Sequence, residues 1–254
     1  MSGEDKGRSR ARGAVQHRIA LMRARDEAET SAAQLAAHGL IAVLAPATEI
    51  RLLASALPVG SFDALIVTSP RAIAALAVGD RARLAGLPLH AVGERAAGAA
   101  RAAGLAPSGE TAADSAALAA RLAASFAPGA RLLYLAGRER RPELEAALAA
   151  AGHRIVAVAL YSAEARDAWS RAEAEGVAAC DAALHYSHRS AALAVALAER
   201  AGIGGVFRAM LHVCLSQRVA EPLAAFGASR IACSDAPNEA RLIAALEQAF
   251  GGAA

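Results

Sequence analysis

Residues 62–72 read FDALIVTSPRA and residues 180–190 read CDAALHYSHRS, so Asp63, Ser69 and Arg71 recur in register as Asp181, Ser187 and Arg189. Each copy is a short apolar run entering a polar turn and then a helical stretch, and Ser69 followed by Pro70 has the chemistry of an N-cap followed by N1. Such a strand-to-helix junction is where α/β proteins receive anions. The helix start offers unpaired backbone N–H groups and the positive end of its dipole, and the strand ends leave a crevice beside it. Two junctions in one chain predict one ligand held between two halves.

With 254 residues, 56% of them apolar, the chain can bury a substantial core, and its length allows one large or two smaller domains. The repeat argues for two. Only 4% of residues are aromatic, so the core must rest on Ala, Leu, Val and Ile. The net charge is +3, but Lys6 is the only lysine and the positive charge is otherwise arginine, spread along the chain. Arginine suits bidentate grip on carboxylate or phosphate, which favours an acidic small molecule as partner. No aromatic RNA-binding motif or recognition-helix cluster is present, so no nucleic-acid partner is expected. Cys180, Cys214 and Cys233 are odd in number and lack CxxC spacing, which indicates neither a disulfide framework nor a zinc site. The expectation is a reduced, cytoplasmic protein. Residues 1–17 are polar and basic without an apolar segment, and read as a disordered tail rather than a secretory signal. No apolar run approaches the roughly 18 residues of a membrane helix, so no membrane partner is expected.

In chain order, the pattern predicts a strand at 19–22 ending at Arg23, a helix opened by an Asp26/Glu29 capping box and closed by Gly39, and a strand at 40–44 broken at Pro46. After the first echo stretch it predicts a helix over about 70–78, a charged link, and a strand at 89–92 ending in Gly93. Helices follow to Gly104 and over 114–126, then a strand at 132–135 with Gly137 and Arg138 at its tip. A helix from about Pro142 closes at Gly152, a strand runs from 155 into Tyr161, and a charged segment with Trp169 leads to the second echo stretch. A helix to Gly202, a strand at 210–215, a helix to Phe226, a strand at 230–233 and a helix over 237–250 complete the chain. LSQRVA (215–220) aligns with VGERAA (92–97), so Ser216 stands where Gly93 stands. Both halves carry the same element order, which predicts two similar parallel-sheet domains. Periodicity leaves two arrangements open: tandem domains, or a first βαβ unit that joins the C-terminal half and leaves the middle as an insertion.

DALIVTSPRA, AVGERAAGAARAAG, LLYLAGRERRPELEAALAAAG running into VALYS, and CLSQRVAEPLAAFG, taken in this order and spacing, resemble the uroporphyrinogen-III synthase family over about residues 18–250. The resemblance implies two similar flavodoxin-like parallel-sheet domains joined by two linker strands, one domain being discontinuous. Domain 1 would comprise 18–46 plus 163–254, domain 2 would be 50–160, and the linkers 47–49 and 161–162, with the ligand in the cleft. It implies a cytoplasmic, cofactor-free lyase of haem biosynthesis acting on the linear tetrapyrrole hydroxymethylbilane, and, since both walls of the cleft would come from one chain, a monomer is expected. Loss of the terminal hydroxyl would give an azafulvene cation. Ring D would attack it through its substituted carbon, and a spiro intermediate would rearrange so that closure inverts that ring.

Carried over by motif, Tyr161 is the candidate catalytic residue, its hydroxyl meeting the leaving hydroxyl. Ser69, Arg71, Gly93, Ser187, Arg189, Ser216, Arg23 and Arg138 are the candidate substrate-binding residues. Ala96 and Val219 stand where the family usually has Thr, Met22 and Ala24 flank Arg23 in place of the family's neighbours, and Ser216 replaces a common glycine. Plainer roles compete: Ser69 and Ser187 as simple caps, the arginines as solvated surface charges, Tyr161 as a half-buried strand residue. His185 and His188 beside Ser187 lack a GxSxG elbow, Cys180 lacks zinc spacing, and Gly93 with Gly98 is not a dinucleotide loop. The competing function is a non-catalytic two-domain module that binds an acidic small molecule.

Overall fold

The computed structural model describes residues 16–251. In chain order its elements are β1 (Arg18–Leu21), α1 (Arg25–Ala37), β2 (Ile41–Leu44), β3 (Thr48–Leu52), β4 (Ala64–Val67), α2 (Pro70–Ala74), α3 (Val78–Leu84), β5 (Leu89–Ala91), α4 (Glu94–Ala102) and α5 (Ser115–Ser125). There follow β6 (Arg131–Gly137), α6 (Glu143–Ala150), β7 (Arg154–Ala165), α7 (Arg171–Ala178), β8 (Ala182–His185), α8 (His188–Arg200), α9 (Gly204–Ala209), β9 (Leu211–Cys214), α10 (Gln217–Ala225), β10 (Arg230–Cys233) and α11 (Glu239–Gly251). The chain divides into two compact units: one joins the residues up to Glu49 with those from Ala165, and the other runs Ile50–Glu164.

The first unit holds a sheet of order β10-β9-β8-β1-β2 with parallel pairing throughout. Counted along this unit's own chain the order is 2-1-3-4-5, the doubly wound arrangement with one reversal of winding. The strands carry apolar residues on both faces, as a sheet covered on both sides requires. Ile19 and Leu21 enter one core with Leu184 and Val213, while Ala20 and Met22 enter the other with Ala183 and Cys214. Alanine along α8 (Ala191, Ala194 and Ala198, all fully buried) lets that helix lie close on the sheet.

In the second unit the order is β3-β7-β6-β4-β5, with β5, β4, β6 and β7 mutually parallel. Two parallel bridges, Leu89 to Pro107 and Val92 to Ala112, lay a rudimentary fifth strand beside β5. Counted from β6, this is 2-1-3-4-5 again, except that the chain enters at the third strand. β3 is the addition: Leu53 N–H donates to Leu160 O and Arg51 meets Glu164, so it runs opposite to β7 along an edge that has no counterpart in the first unit.

Several local expectations change. No capping box opens α1: Glu27 N and Ala28 N both bond Ala24 O, so the helix has begun before Asp26, whose carbonyl accepts from Thr30 Oγ1 instead. The capping box of this unit is Ser170/Glu173, at the start of α7 inside the segment expected to be merely charged. The helix expected over 70–78 ends at Ala74, because the chain turns to bury Leu76 (3% exposed). The charged link is α3, with Asp80, Arg81 and Arg83 around a buried Leu84. The linker strand expected at 161–162 is part of the long β7, which runs on to Ala165. Of the expected tail, residues 1–15 lie outside the described residues, and its last residue, His17, stacks on Phe250 with ring centroids 4.0 Å apart.

Candidate functional site

In a 2-1-3-4-5 sheet the winding reverses between the first and third strands, and the crevice opens at their carboxyl ends. That pair is β1/β8 in the first unit and β6/β4 in the second. Arg23 and Ser187 follow the first pair; Arg138 and Ser69 follow the second. One strand further out, Ser216 ends β9 and Gly93 ends β5. The sequence-predicted residues are therefore gathered, within each unit, at one sheet edge.

In the second unit Ser69 is the N-cap of α2, its hydroxyl accepting from Arg71 N at 3.3 Å, with Pro70 at N1. Gly93, at φ 75°, takes a conformation that any side chain would strain, and its N–H donates to Ala112 O at 2.9 Å. The carboxylate of Glu94 beside it is drawn aside by Arg101 and Thr111, and the hydrogen bond from Arg101 is the main cause of its lowered pKa.

Tyr161 sits where β7 slips register against β6: Ala136 pairs with Ala159, and Gly137 with Tyr161. A Cβ at residue 137 would lie 2.8 Å from the tyrosine ring, so the glycine leaves room for the half-buried ring and a side chain there would have to shift it. Arg138 N–H donates to Tyr161 O at 2.8 Å. The loop 137–140 is fixed further by Arg140, which donates to Gly137 O and pairs with Glu145 at 2.7 Å, and by Glu139, which accepts from Ser162 Oγ and Ala163 N. The side chains of Arg138 and Glu139 mark the exposed part of this loop.

Sequence reasoning missed two partners here. Tyr134, buried in β6, shares a 2.9 Å hydrogen bond with Thr68 at the end of β4. Burial raises its pKa, the Thr68 bond opposes the rise, and the nearby Tyr161 adds to it. The signal was a lone tyrosine in the otherwise apolar LLYLAG strand.

In the first unit Arg23 is occupied. Its guanidinium lies 4.0 Å over the Tyr186 ring, donates to Glu27 at 3.2 Å and Ser31 at 3.0 Å, and stands 3.5 Å from Glu239. Tyr186 OH donates to Glu239 at 2.8 Å, and burial holds this phenol well above its ordinary pKa. Ser187 caps α8 through Ser190 N and donates to Ser190 Oγ; Arg189, in the first turn, is exposed. Ser216 caps α10 in position only, its hydroxyl making no capping bond. Ala96 and Val219 are buried at 1% and 6% exposure, each inside the core beneath its helix, so both spend themselves on packing.

Beneath this edge lie two fully buried histidines. His212 Nε2 stands 2.7 Å from Phe207 O, which can only accept, so Nε2 carries the proton and Nδ1 accepts from His185 Nε2 at 3.0 Å. His185 Nδ1 is left with no partner. Burial and, for His185, the neighbouring His212 push these imidazoles down, His212 to about 4.

Compared with known proteins, residues 29–244 match the family model described as uroporphyrinogen-III synthase HemD. Among solved structures, the uroporphyrinogen-III synthetase of Helicobacter pylori is similar at 14% identity and TM-score 0.64, covering 93% of this chain and 99% of its own. A mutant uroporphyrinogen III synthase of Thermus thermophilus is similar at 18% identity and TM-score 0.51, with the same coverages. These likenesses show the shared two-unit α/β fold. No curated protein sequence matches the chain.

Proposed function

This chain belongs to the uroporphyrinogen-III synthase family, cyclising lyases of haem biosynthesis, and we propose that its substrate is hydroxymethylbilane, closed with inversion of ring D. The observation that carries this reading is the doubled edge. Each unit ends the strands numbered 1, 3 and 4 in its 2-1-3-4-5 order in helix-starting turns with arginine among them. A linear tetrapyrrole with eight carboxylates needs many separated anion subsites rather than one deep charge pocket.

In this proposal the turns at Ser69, Gly93, Ser187 and Ser216 line the binding edge, those at Ser187 and Ser216 through the backbone N–H groups that open α8 and α10, and Arg71, Arg138 and Arg189 bring guanidinium groups. Arg23 acts on the turn rather than on substrate, because Glu27, Glu239 and the Tyr186 ring already engage it. Tyr161 donates its proton toward the departing hydroxyl, so that water leaves and the azafulvene cation forms. Arg138 N–H and Gly137 fix where that phenol stands. Held in one folded conformation, the bilane presents the substituted carbon of ring D to the cation, and positioning supplies most of the acceleration. Action as a monomer in the cytoplasm belongs to the same proposal. The three unpaired cysteines accord with a reducing compartment, and among the described residues no helix is long and apolar enough to cross a membrane.

The test is to supply freshly made hydroxymethylbilane to the purified protein, oxidise the products and resolve isomers I and III. Predominant isomer III is expected. Isomer I formed at the rate of a protein-free control, beside an active reference enzyme, would overturn the proposal.

A further inference from the structure

Cys214 and Cys233 are partners across the parallel β9–β10 ladder, the last residue of each strand. Strand alternation and the core they share place both thiols on the same face: Val213 and Ala232 pack into the opposite core, while Cys214 and Cys233 pack into one. Directly paired residues on neighbouring strands sit about 4.8 Å apart with their side chains roughly parallel. That spacing exceeds the ~3.8 Å between Cβ atoms in a relaxed disulfide, so oxidation would strain the ladder. It suits a single ion between the sulfurs, since two metal–thiolate bonds of about 2.3 Å span roughly 4.6 Å.

We propose that Cys214 and Cys233 form a two-thiolate site for a soft, thiophilic d10 cation. Among the described residues no group of three or more His, Cys, Asp or Glu is arranged to hold an ion, which points to ions content with two ligands. Thiolates select soft ions in any case. A divalent ion such as Hg(II) has a further advantage: two thiols lose two protons to it and the product is neutral, so nothing charged is buried in the core. Cys214 is fully buried and Cys233 only half-buried, giving an entry route in which Cys233 captures the ion and Cys214 completes its shell. Loading displaces one proton from each thiol. The third thiol, Cys180, donates to Gly176 O on another element and takes no part.

The probe is mercuric chloride at one equivalent per chain, on the full chain, with free thiols, released protons and mass read separately. The expected result is two thiols masked and two protons released per ion in the wild type and in Cys180→Ser. Cys233→Ser, at the half-buried strand end, should keep its fold by circular dichroism. It should mask only one of the pair and bind at least about a hundredfold more weakly, because the second ligation is no longer intramolecular. Wild-type affinity in Cys233→Ser would overturn the proposal. So would masking that joins two chains through Cys180, or a mass lower by two hydrogens with no ion retained, the mark of a disulfide.

Discussion

Gly137 and Tyr161 form one device. The register slip that pairs them brings a phenol against β6, and the missing Cβ is what admits it. Gly137→Ala should force the ring aside, costing about 1–3 kcal/mol of stability as overpacking does. It should also lower synthase turnover at least as much as Tyr161→Phe, for which a drop of about tenfold is expected if positioning supplies most of the rate. Urea unfolding and isomer-resolved turnover on both variants check this; a Gly137→Ala protein with wild-type turnover would detach Tyr161 from the chemistry. The His185–His212 pair sets a different residue-scale expectation. Its folded pKa values are depressed below the usual histidine value near 6.5, so its contribution is complete above that pH and lost as pH falls toward about 4. For His212 the loss is on the order of 3 kcal/mol when complete. Unfolding free energy measured between pH 7 and 4 should fall steeply in wild type and more gently in a His185→Leu/His212→Leu double variant. An equal slope in both would assign the acid sensitivity elsewhere.

At the level of elements, β2 and β7 are each followed by residues that serve as fasteners rather than connectors. Arg166 grips Glu173 through paired bonds of 2.7 and 2.8 Å, donates to Pro46 O and meets Glu49, while Trp169 Nε1 also donates to Pro46 O. The bond from Arg166 is the main reason Glu173 is held down at about 2. Arg166→Ala should cost about 2–3 kcal/mol in urea unfolding at neutral pH, through lost charge-assisted bonds and a stranded carboxylate. A loss below about 0.5 kcal/mol would show the cluster to be ordinary surface pairing. These fasteners also show what was legible in the sequence. The core strands and long helices could be read, because apolar runs such as ALIV and alternating buried alanines are strong local patterns. The element β3 could be read only as the family's linker strand near 47–49 and not from its own pattern, since TEIRL is mostly exposed and becomes a strand by pairing with β7. Nor could α7 and α3, whose charges dominate their composition while one or two buried residues, Val177 or Leu84, fix them to the sheet. At the site, Ser69, Ser187 and Gly93 were legible as turn chemistry. The Tyr134–Thr68 bond was not, because it joins strands far apart in sequence, and neither was the engagement of Arg23 by Glu239.

At the scale of the whole molecule, one topology is written twice, with two different entry points. The first unit opens with its first strand, β1, and is interrupted after the second; the other unit begins at its third strand and finishes with its first two. This ordering has a consequence during synthesis on the ribosome. β1, whose Ile19, Ala20 and Leu21 are fully buried in the finished sheet, leaves the exit tunnel early, but its neighbour β8 is made roughly 160 residues later. At about 5–20 residues per second that is a wait of about 8–30 s. Meanwhile the continuous unit, Ile50–Glu164, has every strand it needs. Nascent chains arrested about 40 residues beyond Glu164, so that the exit tunnel (about 30 extended residues long) no longer holds β7, and exposed to protease should thus protect residues 50–164 and yield residues 16–49 to cleavage, making that stretch the natural client of a ribosome-bound chaperone.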